Sequence, residues 1–396
     1  MTSQNNIPKL RFPEFEGKWE KKKLGDASIK IGDGLHGTPV YSESSDIYFI
    51  NGNNLVDGKV VTNETTKRVA LETYAKNNKG LNGNTLLISI NGTIGNVSRY
   101  ANEKVMLGKS VGYYIFNQEC TFYYHLLRSD KVQNLFISEL TGSTIKNLSL
   151  KTLRETEVLI PYTTEQTKIA NFLSAVDEKL TQLKTKKSLL EQYKKGVMQK
   201  LFSQELRFKD ENGEDFAEWE EKRLGEVADV NMGQSPDSKS YNTDGIGMPL
   251  IQGNADIQNR KSNPRNWTSD PTKKCQVGDL ILTVRAPVGA IAKSSHNACI
   301  GRGVCSIRNN SISNIEFLYQ FLLDYELKWI RLEQGSTFTA VSGTDIRTIE
   351  TPTPSLPEQT KIANFLSAID EKITNVELRI TKMEGWKKGL LQQMFV

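Results

Sequence analysis

Two long stretches of the chain carry apolar residues at alternating spacings of three and four, separated by charged and polar residues. In residues 165–202 this stripe consists of Ile169, Leu173, Val176, Leu180, Leu183, Leu190, Val197 and Leu201, with Lys187 and Lys194 on the same stripe. In residues 358–395 it consists of Ile362, Leu366, Ile369, Ile373, Val376, Ile380, Met383, Leu390 and Met394, with Lys387 among them. A heptad pattern sustained over such a length predicts coiled-coil-like helices that pack along their length.

The start of each stretch carries helix-capping signals. Thr163 with Gln166, and Ser355 with Glu358, have the spacing of a capping box. No proline interrupts either stretch beyond its first turn. Each helix is therefore expected to extend over about 38 residues, roughly 57 Å at 1.5 Å per residue.

The two stretches are copies of one another. They match without a gap at a spacing of 193 residues, and 21 of 38 positions are identical. The repeat continues upstream, where LRF precedes Trp19 and again Trp219, and INGN at 50–53 matches IQGN at 251–254. Such duplication predicts two similar units related by an approximate two-fold axis. The simplest arrangement pairs the helices antiparallel, and the alternative packs each helix on its own globular domain.

Short apolar runs bounded by Gly, Asn and Asp precede each long helix and predict strands with tight turns. These runs are 47–50, 85–90 and 112–116 in the first unit, and 249–252, 279–284 and 303–307 in the second. A helix is predicted after each set, over 122–140 and 315–333. The expected class is α+β, with globular domains at 1–162 and 204–354 and long helices at 163–203 and 355–396.

Composition narrows the function only modestly. A net charge of +5 is compatible with a polyanionic partner. The four cysteines form no CxxC pair, which argues against a zinc site or a disulfide framework. No apolar run is long enough for a membrane span and the start lacks a signal-like segment, so a cytoplasmic protein is expected.

Catalytic motifs are missing from the sequence. Gly108-Lys109-Ser110 resembles the end of a phosphate-binding loop, but Glu103 stands where that motif requires its first glycine. Neither the glycine motif nor the base-holding loop of a DNA amino-methyltransferase occurs, and no helicase motif set is visible. The chain is expected to be non-catalytic, without a bound metal or cofactor.

Basic and polar residues in the predicted turns are candidate DNA contacts. Lys109 and Arg302 occupy equivalent places in the two units, which favours a shared role. Arg285 follows an apolar run, so it either forms a buried ion pair or directs its guanidinium at a base edge or phosphate. The full candidate set is His36, Thr38, Arg99, Lys109, Thr144, Lys146, Asn147, Gln234, Ser235, Arg260, Lys261, Arg265, Arg285, Arg302, Thr337 and Thr339.

The order of variable domain, helix with EQTKIANFLS, second variable domain and second such helix resembles the specificity subunit of type I restriction-modification enzymes. The LRF, Trp and LG lead-ins, TIGNV at 93–97, PVGAI at 287–291 and the GST turns belong to this pattern, which covers essentially the whole chain.

The resemblance implies two target-recognition domains, each recognising one half of a split and asymmetric double-stranded DNA sequence. It implies that the helices set the spacer and dock two methyltransferase subunits, and through them restriction subunits. S-adenosylmethionine, ATP and Mg²⁺ are then expected on the partner subunits. The implied spacer and docking residues are Gln166, Ile169, Phe172, Leu173, Asp177, Gln359, Ile362, Phe365, Leu366 and Asp370.

An alternative from another class is a non-catalytic helical scaffold whose terminal domains bind proteins. That alternative predicts weak and sequence-indifferent DNA binding.

Overall fold

The computed structural model describes residues 6–140, 147–335 and 340–396. It divides into two compact units. Unit 1 comprises Met1–Lys184 and Leu378–Val396, and unit 2 comprises Thr185–Glu377. Each unit therefore contains one globular part and half of each long helix.

Unit 1 is built on a four-stranded antiparallel sheet in the order β2-β9-β6-β7. Three small pairs accompany it: β1 with β10 and β4 with β5 are antiparallel, and β3 with β8 is parallel. The strands are β1 (Glu20–Lys23), β2 (Ser28–Asp33), β3 (Tyr48–Ile50), β4 (Leu55–Val56), β5 (Lys59–Val60), β6 (Thr85–Ser89), β7 (Val97–Arg99), β8 (Val105–Leu107), β9 (Val111–Phe116) and β10 (Glu157–Ile160).

In its described residues, unit 1 has four short α-helices and the first half of the first long helix. They are α1 (Leu71–Asn77), α2 (Thr121–Leu127), α3 (Asp130–Leu140), α4 (Leu150–Glu155) and α5 (Thr163–Phe202), whose first half lies in this unit. The prediction of one helix over 122–140 is wrong, because the chain breaks at Arg128 and Ser129. The Ser129 hydroxyl donates to the Leu126 carbonyl at 2.7 Å, and Asp130 then starts a new helix.

Unit 2 has two larger sheets, in the orders β12-β22-β19-β20-β16-β15 and β13-β17-β14-β21-β18, besides the antiparallel pair β11-β23. The strands are β11 (Glu220–Arg223), β12 (Ala228–Met232), β13 (Tyr241–Asn242), β14 (Met248–Ile251), β15 (Ile257–Gln258), β16 (Lys261–Ser262), β17 (Asn266–Thr268), β18 (Lys274–Cys275), β19 (Leu280–Thr283), β20 (Ile291–Lys293), β21 (Ala298–Ile300), β22 (Val304–Asn309) and β23 (Glu350–Thr353). Its helices are α6 (Leu224–Val227), α7 (Ile315–Gly335), α8 (Gly343–Arg347) and α9 (Leu356–Met394). The predicted α+β class and both long helices are confirmed.

Within each unit, the halves of the two long helices pack on each other and also on the globular part. Antiparallel helix pairing and packing of a helix on its globular domain, considered as alternatives from the sequence, therefore occur together. In unit 1, Leu173 of α5 and Leu390 of α9 belong to one core with Phe122 of α2. In unit 2, Leu201 of α5 and Leu366 of α9 belong to one core with strands and α7.

Ion pairs explain why lysines interrupt the apolar stripes. In unit 1, Lys387 bonds to Asp177 and Lys184 bonds to Glu384 at 2.8 Å. From the first pair to the second, the residue number increases along α5 and decreases along α9. The two helix halves therefore run antiparallel within the unit. Burial lowers the pKa of Lys387, and the hydrogen bond that Lys387 donates to Asp177 opposes that effect.

Unit 2 repeats the arrangement with its own helix halves. Lys194 donates to both carboxylate oxygens of Asp370 at 2.7 and 2.8 Å, and Lys187 bonds to Glu377 at 2.8 Å. Lys194 and Asp370 stand at the same repeat positions as Lys387 and Asp177, so the duplication preserves the ion pair.

A buried carboxylate connects residues 10–25, which we call the lead-in of unit 1, to the start of α5; residues 206–225 are the lead-in of unit 2. Glu165 is 1% exposed and accepts two hydrogen bonds of 2.7 Å from the Arg11 guanidinium. The Trp19 indole donates to the same carboxylate at 3.3 Å. Lead-in and helix are thus connected across more than a hundred residues of sequence.

The equivalent joint in unit 2 uses Glu358, which is 0% exposed. Arg207 donates to it at 3.2 and 3.0 Å, and Trp219 donates at 3.0 Å. The capping box predicted from Ser355 and Glu358 is therefore wrong, because the carboxylate bonds to the lead-in. We call the Arg-Glu-Trp set of each unit the lead-in joint.

Replacing Glu165 with Gln is expected to destabilise unit 1, because Arg11 then stays buried without its counter-charge. The expected loss in the free energy of unfolding is about 3 kcal/mol. Urea denaturation of the purified chain measures it. The control is Glu14→Gln, since Glu14 pairs with Lys168 at the surface, where such pairs contribute about 0–1 kcal/mol. Equal effects of the two substitutions would contradict the importance of the joint.

Candidate nucleic-acid interface

Four loops of unit 1 meet beyond the end of its main sheet where β2 ends and β9 begins. The Gly34 amide donates to Val111 at 3.0 Å and the Leu35 amide donates to Leu107 at 2.7 Å. The Gly108 amide donates to Ile50 at 2.8 Å, which brings in the loop after β3. The Ile90 amide donates to Ser110 at 2.9 Å, and Asn91 pairs with Asn147. We call residues 34–38, 51–54, 91–93 and 108–110, together with Asn147, loop cluster 1.

Glycine is required at Gly34 because two backbones approach closely there. A Cβ atom at this position would lie 2.3 Å from the carbonyl oxygens of Leu107 and Gly108. Any side chain would push the two loops apart.

Unit 2 forms an equivalent cluster with the same backbone hydrogen bonds. The Gly233 amide donates to Val304 at 3.0 Å and the Gln234 amide donates to Ile300 at 2.9 Å. The Gly301 amide donates to the Ile251 carbonyl at 2.8 Å. We call residues 233–237, 252–254, 284–288 and 301–303 loop cluster 2.

Loop cluster 1 brings together four residues that the sequence suggested. His36 is exposed and its Nε2 lies 2.6 Å from Asp33 Oδ2, while Thr38 is exposed in the same loop. Lys109 is exposed in the turn between β8 and β9. Asn147 is exposed and pairs with Asn91 of the loop after β6.

Loop cluster 2 likewise contains four predicted residues. The Arg302 amide donates to the Ser235 hydroxyl at 3.2 Å, and Gln234 is exposed beside them. Arg285 is exposed and pairs with Ala340, so its exposure argues against the buried-ion-pair interpretation. The preceding residue, Val284, bonds through its amide to Gly303 at 2.9 Å, which places this loop in the cluster.

The four other described candidates lie elsewhere in their units. Arg99 stacks over the Tyr124 ring at 4.4 Å and donates to Ser174 at 3.4 Å, so its guanidinium packs between β7, α2 and α5. Arg260 bonds to Glu326 of α7, and Lys261 follows it in the β15-β16 hairpin.

Arg265 follows the same hairpin and bonds to the buried carboxylate of Asp256 at 3.0 Å. Arg260 is therefore held by α7, whereas Arg265 lies beside loop cluster 2, because Asp256 also accepts from the Gln252 amide at 2.8 Å. Thr144, Lys146, Thr337 and Thr339 lie outside the described residues.

The helix residues assigned to partner docking divide into buried and partly exposed sets. Ile169, Leu173, Ile362 and Leu366 are at most 2% exposed, so their side chains hold the helices to the cores. Gln166 and Gln359 are buried and donate at 2.8 Å to the carbonyls of Pro161 and Pro354, respectively. Asp177 and Asp370 bind lysines of the facing helix half, which leaves Phe172 and Phe365 as partly exposed apolar side chains.

Two amide side chains of the loop clusters were not predicted from the sequence as candidate contacts. Asn51 lies in loop cluster 1, where it bonds to Ser110, and Gln252 lies in loop cluster 2, where it bonds to Tyr241. The signal that could have found them is the matched pair INGN and IQGN, since only the second residue differs.

Burial makes the thiols of Cys120 and Cys305 poor nucleophiles. All four cysteines are free and buried, and burial raises the pKa of Cys120 to about 11 and of Cys305 to about 12. Among the described residues, no group of three or more His, Cys, Asp or Glu side chains could hold a metal ion. In that same part of the chain, no helix has the length and apolar character needed to cross a membrane.

Comparison with known proteins adds independent information. The sequence profile of the family described as the type I restriction modification DNA specificity domain matches residues 16–192 and 217–384. Its two matches correspond to the two halves of the repeat.

Similar curated proteins come from Methanocaldococcus jannaschii. The chain is 30% identical over 419 aligned positions to one described as the MjaX type I restriction enzyme specificity subunit, covering 98% of this chain and 95% of that protein. It is 27% identical over 208 positions to the MjaIX specificity subunit, covering 49% of this chain and 48% of that one.

Solved structures support the fold. A type I restriction-modification system S subunit from M. genitalium matches with a TM-score of 0.62 at 19% identity, covering 98% of this chain and 99% of that one. A chain from a study of complex assembly and conformational transition of the type I restriction-modification system matches with a TM-score of 0.62 at 22% identity, covering 94% and 96% of the two chains. With family matches in both halves and a near full-length relative, this chain belongs to the DNA specificity subunits of type I restriction-modification systems.

Proposed function

We propose that the two loop clusters recognise the two halves of one split, asymmetric DNA target. One observation carries this proposal: the two loop clusters share the same backbone hydrogen bonds but differ in their side chains. The backbone hydrogen bonds of Gly34 and Leu35 recur at Gly233 and Gln234, whereas His36 is matched by Ser235. Because the two loop clusters have the same backbone arrangement and different side chains, we expect them to recognise two different half-sites.

The exposed cations of the clusters suit contacts with phosphate. Lys109 and Arg302 follow the equivalent glycines Gly108 and Gly301, and both side chains are exposed. Contacts to phosphate position a protein on DNA, and contacts to base edges give specificity. We assign Lys109 and Arg302 to positioning, and the polar loop residues around them to base recognition.

The chain acts as a non-catalytic subunit in this proposal. Two methyltransferase subunits dock along the repeated helices, with Phe172 and Phe365 among the contacts, and restriction subunits join through them. S-adenosylmethionine, ATP and Mg²⁺ are bound by those partners. A scaffold that binds only proteins is less consistent with equivalent exposed cations at both loop clusters.

Methylome sequencing of cells that express the chain with its methyltransferase tests the proposal. The expected result is one adenine-methylated motif made of two unlike half-sites separated by unspecified base pairs. A single continuous motif, or methylation without sequence preference, would contradict it.

Lengthening both long helices tests whether they set the spacer. Seven residues inserted after Lys184 and seven after Glu377 keep the heptad pattern and lie where each helix passes between units. Each helix then grows by about 10 Å, equivalent to about three base pairs. Methylome sequencing should show the same half-sites with a spacer about three base pairs longer. Full activity with the original spacer would exclude the spacer role.

Replacing Lys109 or Arg302 with Ala is expected to weaken binding to all DNA sequences alike, because a phosphate contact carries no base information. Each substitution should reduce the slope of log affinity against log salt concentration by about 1. Binding titrations at several salt concentrations measure this slope. Lys179→Ala removes an exposed charge from α5 and is the control. A change of base preference with an unaltered salt slope would argue against phosphate contact.

A further inference from the structure

We infer that Asn51 and Gln252 are specificity-determining residues that present opposite hydrogen-bonding groups to the two half-sites, Asn51 a donor and Gln252 an acceptor. This inference rests on the proposed function and adds the polarity of one base contact in each half-site. Both side chains are partly exposed and occupy equivalent places, directly after β3 and β14.

The orientation of the Asn51 amide follows from its neighbours. The Gly52 amide donates to the Ser110 hydroxyl oxygen at 2.9 Å. The hydroxyl hydrogen of Ser110 is then directed to Asn51 Oδ1, at 3.0 Å. Ser110 therefore fixes the oxygen of the amide on the protein side. Nδ2 has no acceptor within the described part of the chain, so the amide group left for a ligand is a donor.

The loop backbone positions this amide as well. The Asn51 amide N–H donates to Asn54 Oδ1 at 2.9 Å, which fixes the turn after β3. A Cβ atom at Gly108 would lie 2.4 Å from Asn51 Oδ1, so the facing turn needs glycine at this point. Asn51 is thus held against the residue that precedes Lys109, our proposed phosphate contact.

The Gln252 amide is fixed in the opposite sense. The Tyr241 hydroxyl donates to the Pro236 carbonyl at 3.3 Å and accepts from Gln252 Nε2 at 3.0 Å. Its nitrogen is therefore used within unit 2, and Oε1 is the group left for a ligand. The Gln252 amide N–H donates to Asp256 Oδ2 at 2.8 Å, much as that of Asn51 donates to Asn54.

The facing turn of loop cluster 2 also approaches this residue closely. A Cβ atom at Gly303 would lie 2.1 Å from the Gln252 carbonyl oxygen. Gln252 therefore packs against the turn that carries Arg302, as Asn51 packs against the turn that carries Lys109. The same place in each frame holds an amide, and Ser110 and Tyr241 act as positioning residues that choose its outward group.

The outward groups select different bases in the major groove. A donor such as Asn51 Nδ2 suits O6 and N7 of guanine, O4 of thymine and N7 of adenine, and of these bases guanine and thymine offer no amino group to an acceptor there. An acceptor such as Gln252 Oε1 suits the amino groups of adenine or cytosine. One position of each half-site should therefore depend on the polarity of its amide.

The test compares three variants in the complete complex by methylome sequencing. Asn51→Asp keeps the oxygen that accepts from Ser110 and replaces the outward donor by an acceptor. It should change the preferred base at one position of the first half-site by about tenfold, toward adenine or cytosine, and leave the second half-site and spacer unaltered.

Gln252→Glu keeps an outward acceptor, because Tyr241 can turn to donate to the new carboxylate. The second half-site should therefore retain its base preference. The matched control is Asn117→Asp, which makes the same chemical change at an exposed position beyond the opposite end of β9. The control should leave the whole motif unchanged.

Each outcome decides the inference. An unchanged first half-site in Asn51→Asp, or a changed second half-site in Gln252→Glu, would overturn it. If Asn51→Asp abolishes methylation, competition binding at one fixed salt concentration, with duplexes that vary one base pair at a time, gives the order of base preference. An unchanged order would refute the inference, and a changed order at one position would support it. Absence of a bipartite motif for the unaltered chain would instead refute the proposed function itself.

Discussion

The rest of each unit depends on one buried carboxylate at the start of a long helix. Glu165 and Glu358 are almost fully buried, and each accepts hydrogen bonds from an arginine and a tryptophan of the lead-in. A buried charge without its partners is costly, so the lead-in has to dock for the helix start to pack. The joint fixes where the globular part lies on its helix half, and therefore where its loop cluster lies. Its presence in both units explains why the helices and lead-ins are the most similar parts of the repeat.

In the proposed function, the loop clusters let one backbone arrangement support two DNA specificities. Backbone amides and carbonyls, together with glycines at close approaches, determine the path of the loops, and these hydrogen bonds are shared between the units. The side chains on that path are free to differ, as His36 and Ser235 do. Under the proposed function, differences of this kind would change which bases are bound without altering the fold. Sequence divergence between the globular parts is thus compatible with one common mechanism of recognition.

The regular parts of the fold could be predicted because the spacing of apolar residues and the internal repeat indicate them in the sequence. The long helices, the main strands and α7 follow from apolar spacing. The break before α3 could not, because it depends on the Ser129 hydroxyl competing for a helix carbonyl. Ion-pair partners that are distant in the sequence could not be predicted from it either. Glu358 has the sequence spacing of a cap residue but bonds to Arg207, and Arg260 has the character of a surface cation but bonds to Glu326. At the candidate site the exposed cations were predictable, whereas Asn51 and Gln252 gained significance only from contacts that fix their amides.

The central claim is that each globular part carries one complete reader joined to its helix by an equivalent joint. It is tested most directly by a chain in which residues 10–161 are replaced by a second copy of 206–354. In this chain Arg207 and Trp219 of the added copy can bond to Glu165 as they do to Glu358. Methylome sequencing should then show the second half-site twice, in inverted orientation, with the original spacer. Retention of the first half-site by a folded and active complex would contradict the account.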